Sequence, residues 1–248
     1  MESKQPSPKT LLEDSDNGFS FTRHNPRPPK PRRISVTETR GRYYSVMGPS
    51  YLSGVPKTMG AHIGGLKFGG GSLPLFPELA HAHGVYASMG ESSAAAAAAV
   101  VDRYLAKCRA RGFDVIKIST AGLTPKPELG IQFGAGGDTE AGELESMGTS
   151  DPLRVINTTR RFVDMGVERM VIESEGITEN VRQWRTDVIQ AILRVLPMGK
   201  VMFEAAEPKV FNWYIREFGV DVNFCLRSGI WGTADTFGKI VTYRPEGK

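Results

Sequence analysis

The sequence predicts a TIM-type (β/α)8 barrel, incomplete where two of its crossovers are shortened. Three observations lead there. Short apolar runs alternate with helical patterns along the chain, and several of these runs end in glycine or a charged residue. No GxGxxG stands between an early strand and a helix, and no GxxxxGK[ST] occurs. Repeated βα units either close into a barrel or stay an open doubly wound sheet, and the missing nucleotide fingerprints favour the barrel.

Length and composition agree with one domain. The chain has 248 residues, 40% of them apolar and 23% charged, enough for one substantial core but not for two. Residues 1–33 are polar and proline-rich, with Arg23, Arg27, Lys30, Arg32 and Arg33 gathered in RHNPRPPKPRR, and they read as a disordered basic arm. The barrel domain is expected over 34–248. The net charge of +4 is small and lies largely in that arm, so no nucleic-acid partner is implied. The apolar run around Ala94–Val101 is too short to cross a bilayer, and no secretory signal is recognisable, so no membrane partner is expected. Two cysteines, Cys108 and Cys225, form no disulfide framework and fit a reducing, cytoplasmic compartment.

The expected strands, in order, are Gly65–Phe68, Val85–Ser88, Val115–Ser119, Leu129–Phe133, Arg169–Glu173, Lys200–Phe203 and Val220–Phe224. Each is a short apolar or β-branched run bounded by turn residues. The expected helices are Leu75–His83, Ser92–Ala110, Pro152–Met165, Thr178–Leu196 and Lys209–Phe218, where apolar residues recur at helical spacing. In the second, Ala94–Ala99 is a strong helix former, and Tyr104, Leu105 and Cys108 make its inward face. The glycine- and acid-rich stretch 134–151 reads as a solvated linker, with a lid over the mouth as the alternative.

In a barrel the residues that end the strands share one mouth. That places Lys67, Glu91, Lys117, Ser119, Gln132, Glu173, Glu204 and Asn223 as candidates for a common site. GLKFGGGS sets Lys67 before Gly70 and Gly71, which permit tight turning and close approach of backbone amides to an anion. Two readings of Lys67 stay open: an anion-binding group, or a structural partner of a barrel glutamate. Glu173 in MVIESEG and Glu204 in VMFEAAEP end apolar strands and suit a hard cation such as Mg²⁺; helix capping and ion pairing are the plainer alternative. Arg227, with Gly229, Gly232, Asp235 and Thr236 in CLRSGIWGTADTFG, either clamps an oxyanion or pairs with the aspartate. His24, His62, His81 and His83 show no zinc-ligand spacing and read as surface groups. Arg185 and Asp187 read as a helix-to-rim salt bridge.

Taken together and in this order, GLKFGGGS at 65–72, GVYASMGE at 84–91, GFDVIKIS at 112–119, PELG at 127–130, ERMVIESEG at 168–176, KVMFEAAEP at 200–208, REFGVDVN at 216–223 and RSGIWGTADTF at 227–237 resemble the phosphosulfolactate synthase family. Within it, the sequence is most similar to the heat-stress-associated branch of plants and fungi. The resemblance implies a (β/α)8 barrel and a carbon–sulfur lyase or synthase type of activity, the Mg²⁺-dependent addition of sulfite to phosphoenolpyruvate or a related small phospho-acid. It implies Glu173 and Glu204 as metal and catalytic ligands, and Lys67, Gly70, Gly71, Ser119, Asn223, Arg227 and Gly232 as substrate-binding residues. Lys67, Lys117 and Gln132 fall in catalytic places. A general acid is needed as sulfite attacks C2. The family's lysine after PExG is matched near Gln132, which cannot titrate near neutrality, so the alternative is a catalytically altered heat-stress-associated interaction protein. The sequence leaves open whether the chain is an enzyme and whether it forms a homo-oligomer.

Two spacings depart from a whole barrel. Only TAGLTPKPE separates the strand ending at Ser119 from the one starting at Leu129, although a parallel crossover generally takes a dozen residues or more. A short helical segment is also missing between Asn223 and the RSGIWG motif.

Overall fold

The computed structural model describes residues 25, 28–40, 50, 54, 57, 60, 62–68, 81–82, 84, 86–89, 103, 106–112, 115–116, 124–131, 152–205 and 207–226. The strands are β1 (Thr37–Arg40), β2 (Gly65–Phe68), β3 (Tyr86–Met89), β4 (Val115–Ile116), β5 (Thr124–Pro125), β6 (Glu128–Leu129), β7 (Met170–Ile172), β8 (Val201–Ala205) and β9 (Phe224–Leu226). Three fully described helices are α1 (Pro152–Asp164), α2 (Thr186–Val195) and α3 (Pro208–Phe218). Every pairing is parallel, and the order is β5-β4-β3-β2-β1-β9-β8-β7-β6.

The two ends of that order, β5 and β6, are joined by Lys126 and Pro127 alone. One extended run, 124–129, therefore pairs with β4 through its first residues and with β7 through its last. It occupies one position of the ring, and the curled sheet has the eight positions of a TIM-type barrel. The barrel is incomplete in a specific way. Only residues 117–123 lie between β4 and β5, fewer than a crossover with a helix takes.

Strand alternation divides the side chains into two populations. Outward-facing Ile172, Val201, Phe203, Ala205 and Phe224 meet Val155 and Ile156 of α1, Val188, Ile189 and Ile192 of α2, and Val210, Phe211 and Tyr214 of α3 in one apolar core. Phe203 stacks on Tyr214 with ring centroids 4.8 Å apart. Inward-facing Val171, Met202 and Cys225 form a separate cluster with Val36 and Tyr86.

Helix ends follow local chemistry. Pro208 opens α3, where its missing N–H costs nothing, and Gly219 ends it in the left-handed region at φ 82°. Pro197 holds Leu196 extended and stops α2. The helix expected from Thr178 starts only at Thr186, because Ile177, Thr178 and Glu179 all donate their backbone N–H to the Ser174 carbonyl in a compact turn. The strand expected at Val220–Phe224 moves to Phe224–Leu226, so the segment after Asn223 is barrel strand. The expected strand Leu129–Phe133 starts one residue earlier, at Glu128. Of the helices expected at 75–83 and 92–110, His81, Arg103 and residues 106–110 are helical, Ala82 lies in a turn, and the rest lie outside the described residues.

Residues ahead of β1 cover the N-terminal end of the barrel. Lys30 donates to the carbonyls of Gly60 and Gly84, and Arg32 to those of Pro28 and His62. Among the described residues no helix is long and apolar enough to cross a membrane.

Candidate functional site in the barrel interior

Above the inward-facing apolar cluster, the barrel is filled by charge. Lys67 on β2 donates to Glu128 on β6 at 3.2 Å, and Lys126, between β5 and β6, forms an ion pair with Glu38 on β1. Both pairs run across the ring, since β1 and β2 lie on the far side from the 124–129 run. Lys126 also donates to Ser88 Oγ on β3 at 3.2 Å and lies over the Tyr86 ring, 5.7 Å from its centroid. Cys225 on β9 donates its thiol to Glu38 at 3.6 Å. Glu204 on β8 is 5% exposed and acts on Lys67.

The sequence builds this layer by simple means. In an extended run every second residue shares a face, so Lys126 and Glu128 point inward together. The flanking Pro125 and Pro127 favour extended backbone for the run. Glycine at 65 leaves room for the Tyr86 ring, because a Cβ there would stand 2.2 Å from Tyr86 Cζ. Tyr86 fills that space from the next strand, opposite Gly65 in register.

The electrostatics are strongly coupled. Burial alone would raise the Glu38 carboxyl, but the ammoniums of Lys126 and Lys67 outweigh it and hold the group below the usual carboxylate range. Burial would likewise lower Lys67, and the acidic groups around it, Cys225, Glu128, Glu38 and Glu204, reverse this and hold it above the ordinary lysine value. Burial pushes the Cys225 thiol up to about 12, so at neutral pH it carries no charge and the carboxylates alone act on Lys67. Burial, then Glu38, pushes the Tyr86 phenol well above its usual value. Lys67 is therefore a fixed positive charge at neutral pH, suited to holding an anion and unsuited to giving up a proton.

Of the residues expected from sequence, Lys67 and Glu204 are brought together here. Glu173 follows Ile172, the last residue of β7, which pairs with Phe203 on β8, so strand alternation continued by one residue would bring the Glu173 position next to Glu204. Lys67 takes the structural alternative in part, since its partner is a barrel glutamate. Asn223 lies elsewhere. Its side-chain oxygen accepts from Val36 N, and its amide nitrogen donates to the carbonyls of Met198 and Val201. Both amide hydrogens are committed to backbone, and the side chain bolts β9 to the segments before β1 and β8, so a substrate contact by Asn223 is a proposal that would have to work beside these bonds. Gly70, Gly71, Glu91, Lys117, Ser119, Gln132, Arg227 and Gly232 lie outside the described residues. Arg185 and Asp187 form the expected ion pair, at 2.7 Å, and it joins neighbours on one exposed stretch of chain.

Sequence reasoning missed Glu38, Lys126 and Glu128. Glu128 stands inside the PELG motif, and the alternation of Lys126 with Glu128 between prolines was the available signal. Among the described residues no three His, Cys, Asp or Glu side chains gather as a metal-ligand set. Two carboxylate residues, Glu173 and Glu204, stand at neighbouring register positions, one just after β7 and one on β8. This fits a Mg²⁺-type ion, which commonly takes one or two carboxylates and completes its shell with water and substrate oxygens.

Comparison with known proteins adds the following. The family model of (2R)-phospho-3-sulfolactate synthase (ComA) matches residues 25–121 and 115–232. The two stretches meet at 115–121, where β4 leads into the short connection to β5. The protein HEAT-STRESS-ASSOCIATED 32 of Arabidopsis thaliana is 30% identical over 244 residues, covering 82% of this chain and 85% of its own length.

Proposed function

The chain belongs to the (2R)-phospho-3-sulfolactate synthase family, and from that premise we propose that its barrel interior binds phosphoenolpyruvate or a related small phospho-acid and adds sulfite to it. The observation that carries this reading is the buried Lys67, held charged among Glu128, Glu38 and Glu204 on the inward face. A fixed ammonium in a water-poor interior attracts a small anion more strongly than one at the surface does.

The family's product name places the sulfonate on C3. The expectation that sulfite attacks C2 is therefore corrected: sulfite sulfur bonds to C3, the C2–C3 π bond opens toward the carboxylate, and C2 takes up one proton. In this reading Lys67 holds a carboxylate or phosphate oxygen of the substrate, Glu128 keeps Lys67 aimed across the barrel, and Glu173 with Glu204 would hold a divalent cation. That cation, when bound, supplies Lewis-acid stabilisation of the charge that builds on the substrate carboxylate. Lys117, Ser119, Gln132, Arg227 and the glycines Gly70, Gly71 and Gly232 remain proposals for the mouth. A soluble, cytoplasmic location and self-association belong to the same proposal.

Calorimetry with phosphoenolpyruvate in the presence and absence of Mg²⁺, followed by sulfite-dependent loss of phosphoenolpyruvate, tests the reading. Saturable binding and sulfite-dependent consumption are expected. Absence of binding by folded protein overturns it. A second reading, a barrel that binds without turnover, is favoured by the break in the family match at 115–121 and by the heat-stress name of the plant relative. Binding with no sulfite-dependent consumption would select it.

A further inference from the structure

Lys126 belongs to the same interior layer, where its pair with Glu38 ties the 124–129 run to β1. Lys67 and Glu128 already tie β2 to the 124–129 run across the ring. A barrel interior is ordinarily filled by branched aliphatic side chains, and a buried ion pair seldom stabilises more than a well-packed apolar pair of the same volume. The Lys126–Glu38 pair therefore has no evident reason in stability alone.

Its surroundings show how the pair could open. Glu38 is met by more than Lys126: the Cys225 thiol donates to it, the charge of Lys67 acts on it, and the buried Tyr86 hydroxyl interacts with it without a well-formed hydrogen bond of its own. If Lys126 turns away, Glu38 does not become an isolated buried charge. Lys126 itself rests on Ser88, whose register partner on β2 is Lys67, so the two ammoniums approach one level of the barrel from opposite walls.

From this geometry we infer that Lys126 is a second anion-binding residue of the interior, exchanging Glu38 for an oxygen of the bound phospho-acid while Lys67 holds another. The inference rests on the proposed binding of a phospho-acid in the barrel and names the chain's own residue for one of its anionic groups. Lys126 is assigned no proton transfer.

The test separates a binder from a brace. The double variant Glu38→Gln/Lys126→Met removes both charges at once, so it leaves no unpaired buried ion. A brace lost in this way leaves phosphoenolpyruvate affinity untouched, whereas an anion-binding ammonium takes at least a tenfold loss with it. Calorimetric titration with phosphoenolpyruvate is run on the parent, the double variant and Glu38→Gln alone, each shown to be folded by its thermal transition. Glu38→Gln retains the ammonium and takes the same charge from beside Lys67 as the double variant does, so the affinity it keeps over the double variant, expected to be at least tenfold, reads Lys126 alone. Should the methionine version fail to fold, Glu38→Gln/Lys126→Gln, which keeps hydrogen bonding across the pair, takes its place. A folded double variant that binds as well as Glu38→Gln alone overturns the inference and leaves the proposed function standing. A parent that does not bind overturns both.

Discussion

The two faces of one sheet have been put to different uses, and β8 shows it within five residues. Val201, Phe203 and Ala205 face outward into an apolar core shared with all three described helices, while Met202 and Glu204 face inward. The outer face of β8 gives little beyond stability: its residues are fully buried and aliphatic or aromatic. Among the described residues the inner face holds two ammoniums and three buried carboxylates, Glu38, Glu128 and Glu204, whose desolvation opposes folding. Helix packing thus offsets the cost of a polar interior where chemistry can take place.

Adjacent substitutions on β8 test this division with the largest expected effect. Phe203→Ala removes a fully buried ring stacked on Tyr214 and is expected to cost about 3–5 kcal/mol in urea unfolding. Where the variant is still folded, its affinity for phosphoenolpyruvate should stay within about twofold of the parent, roughly 0.4 kcal/mol. Glu204→Gln, one residue on, should do the reverse: a small change in stability and a clear change in Mg²⁺ or phosphoenolpyruvate binding. Equal losses of stability from the two would erase the distinction between the faces.

The same distinction explains what could be read from sequence. Strand β2, Gly65–Phe68, was legible because Leu66 and Phe68 pack outward beside a glycine-rich turn. The helices α1 and α3 were legible to within a residue because apolar side chains at helical spacing face the sheet. Strand β1 was not. In Thr37–Arg40 the inward residue Glu38 is charged and its outward neighbours are threonines, so no apolar alternation marks the strand. The 124–129 run failed for the same reason, with Lys126 and Glu128 inward and two prolines that argue against a strand. Sequence periodicity reports burial in an apolar medium; where a barrel buries charge, the signal vanishes at the residues most relevant to function. Glu173 and Glu204 became candidates only because they end apolar strands.

Asn223 sharpens the comparison from the other end of the barrel. It is fully buried and polar, yet all three of its hydrogen bonds go to backbone groups of Val36, Met198 and Val201. Asn223→Ala strands a buried N–H and two carbonyls and is expected to cost about 2–3 kcal/mol. Phosphoenolpyruvate affinity should not change in the folded fraction. A loss of affinity larger than the loss of stability would return Asn223 to the binding site and extend the functional interior below the apolar layer.

The smallest effect is expected where charge is paired outside the barrel altogether. Arg185 grips Asp187 through two hydrogen bonds, of 2.9 and 2.7 Å, at the start of α2, in the geometry that is strongest for a guanidinium and a carboxylate. Asp187 is nonetheless 64% exposed, so solvent screens most of the attraction. The hydrogen bonds from Arg185 hold the Asp187 carboxyl below its usual range, with its slight burial opposing and the guanidinium charge adding to the effect. A depressed folded-state value means that the stabilisation is present above the unfolded-state value of about 4 and disappears as pH falls through the folded one. Asp187→Asn should therefore lower stability by no more than about 0.5 kcal/mol at pH 7, and the gap from the parent should close below about pH 4 and in 1 M salt. Urea midpoints for the two proteins across that pH range decide it. A gap above 2 kcal/mol, or one indifferent to salt, would mean that this surface pair behaves like the buried ones, and that burial is not what sets the barrel's charges apart.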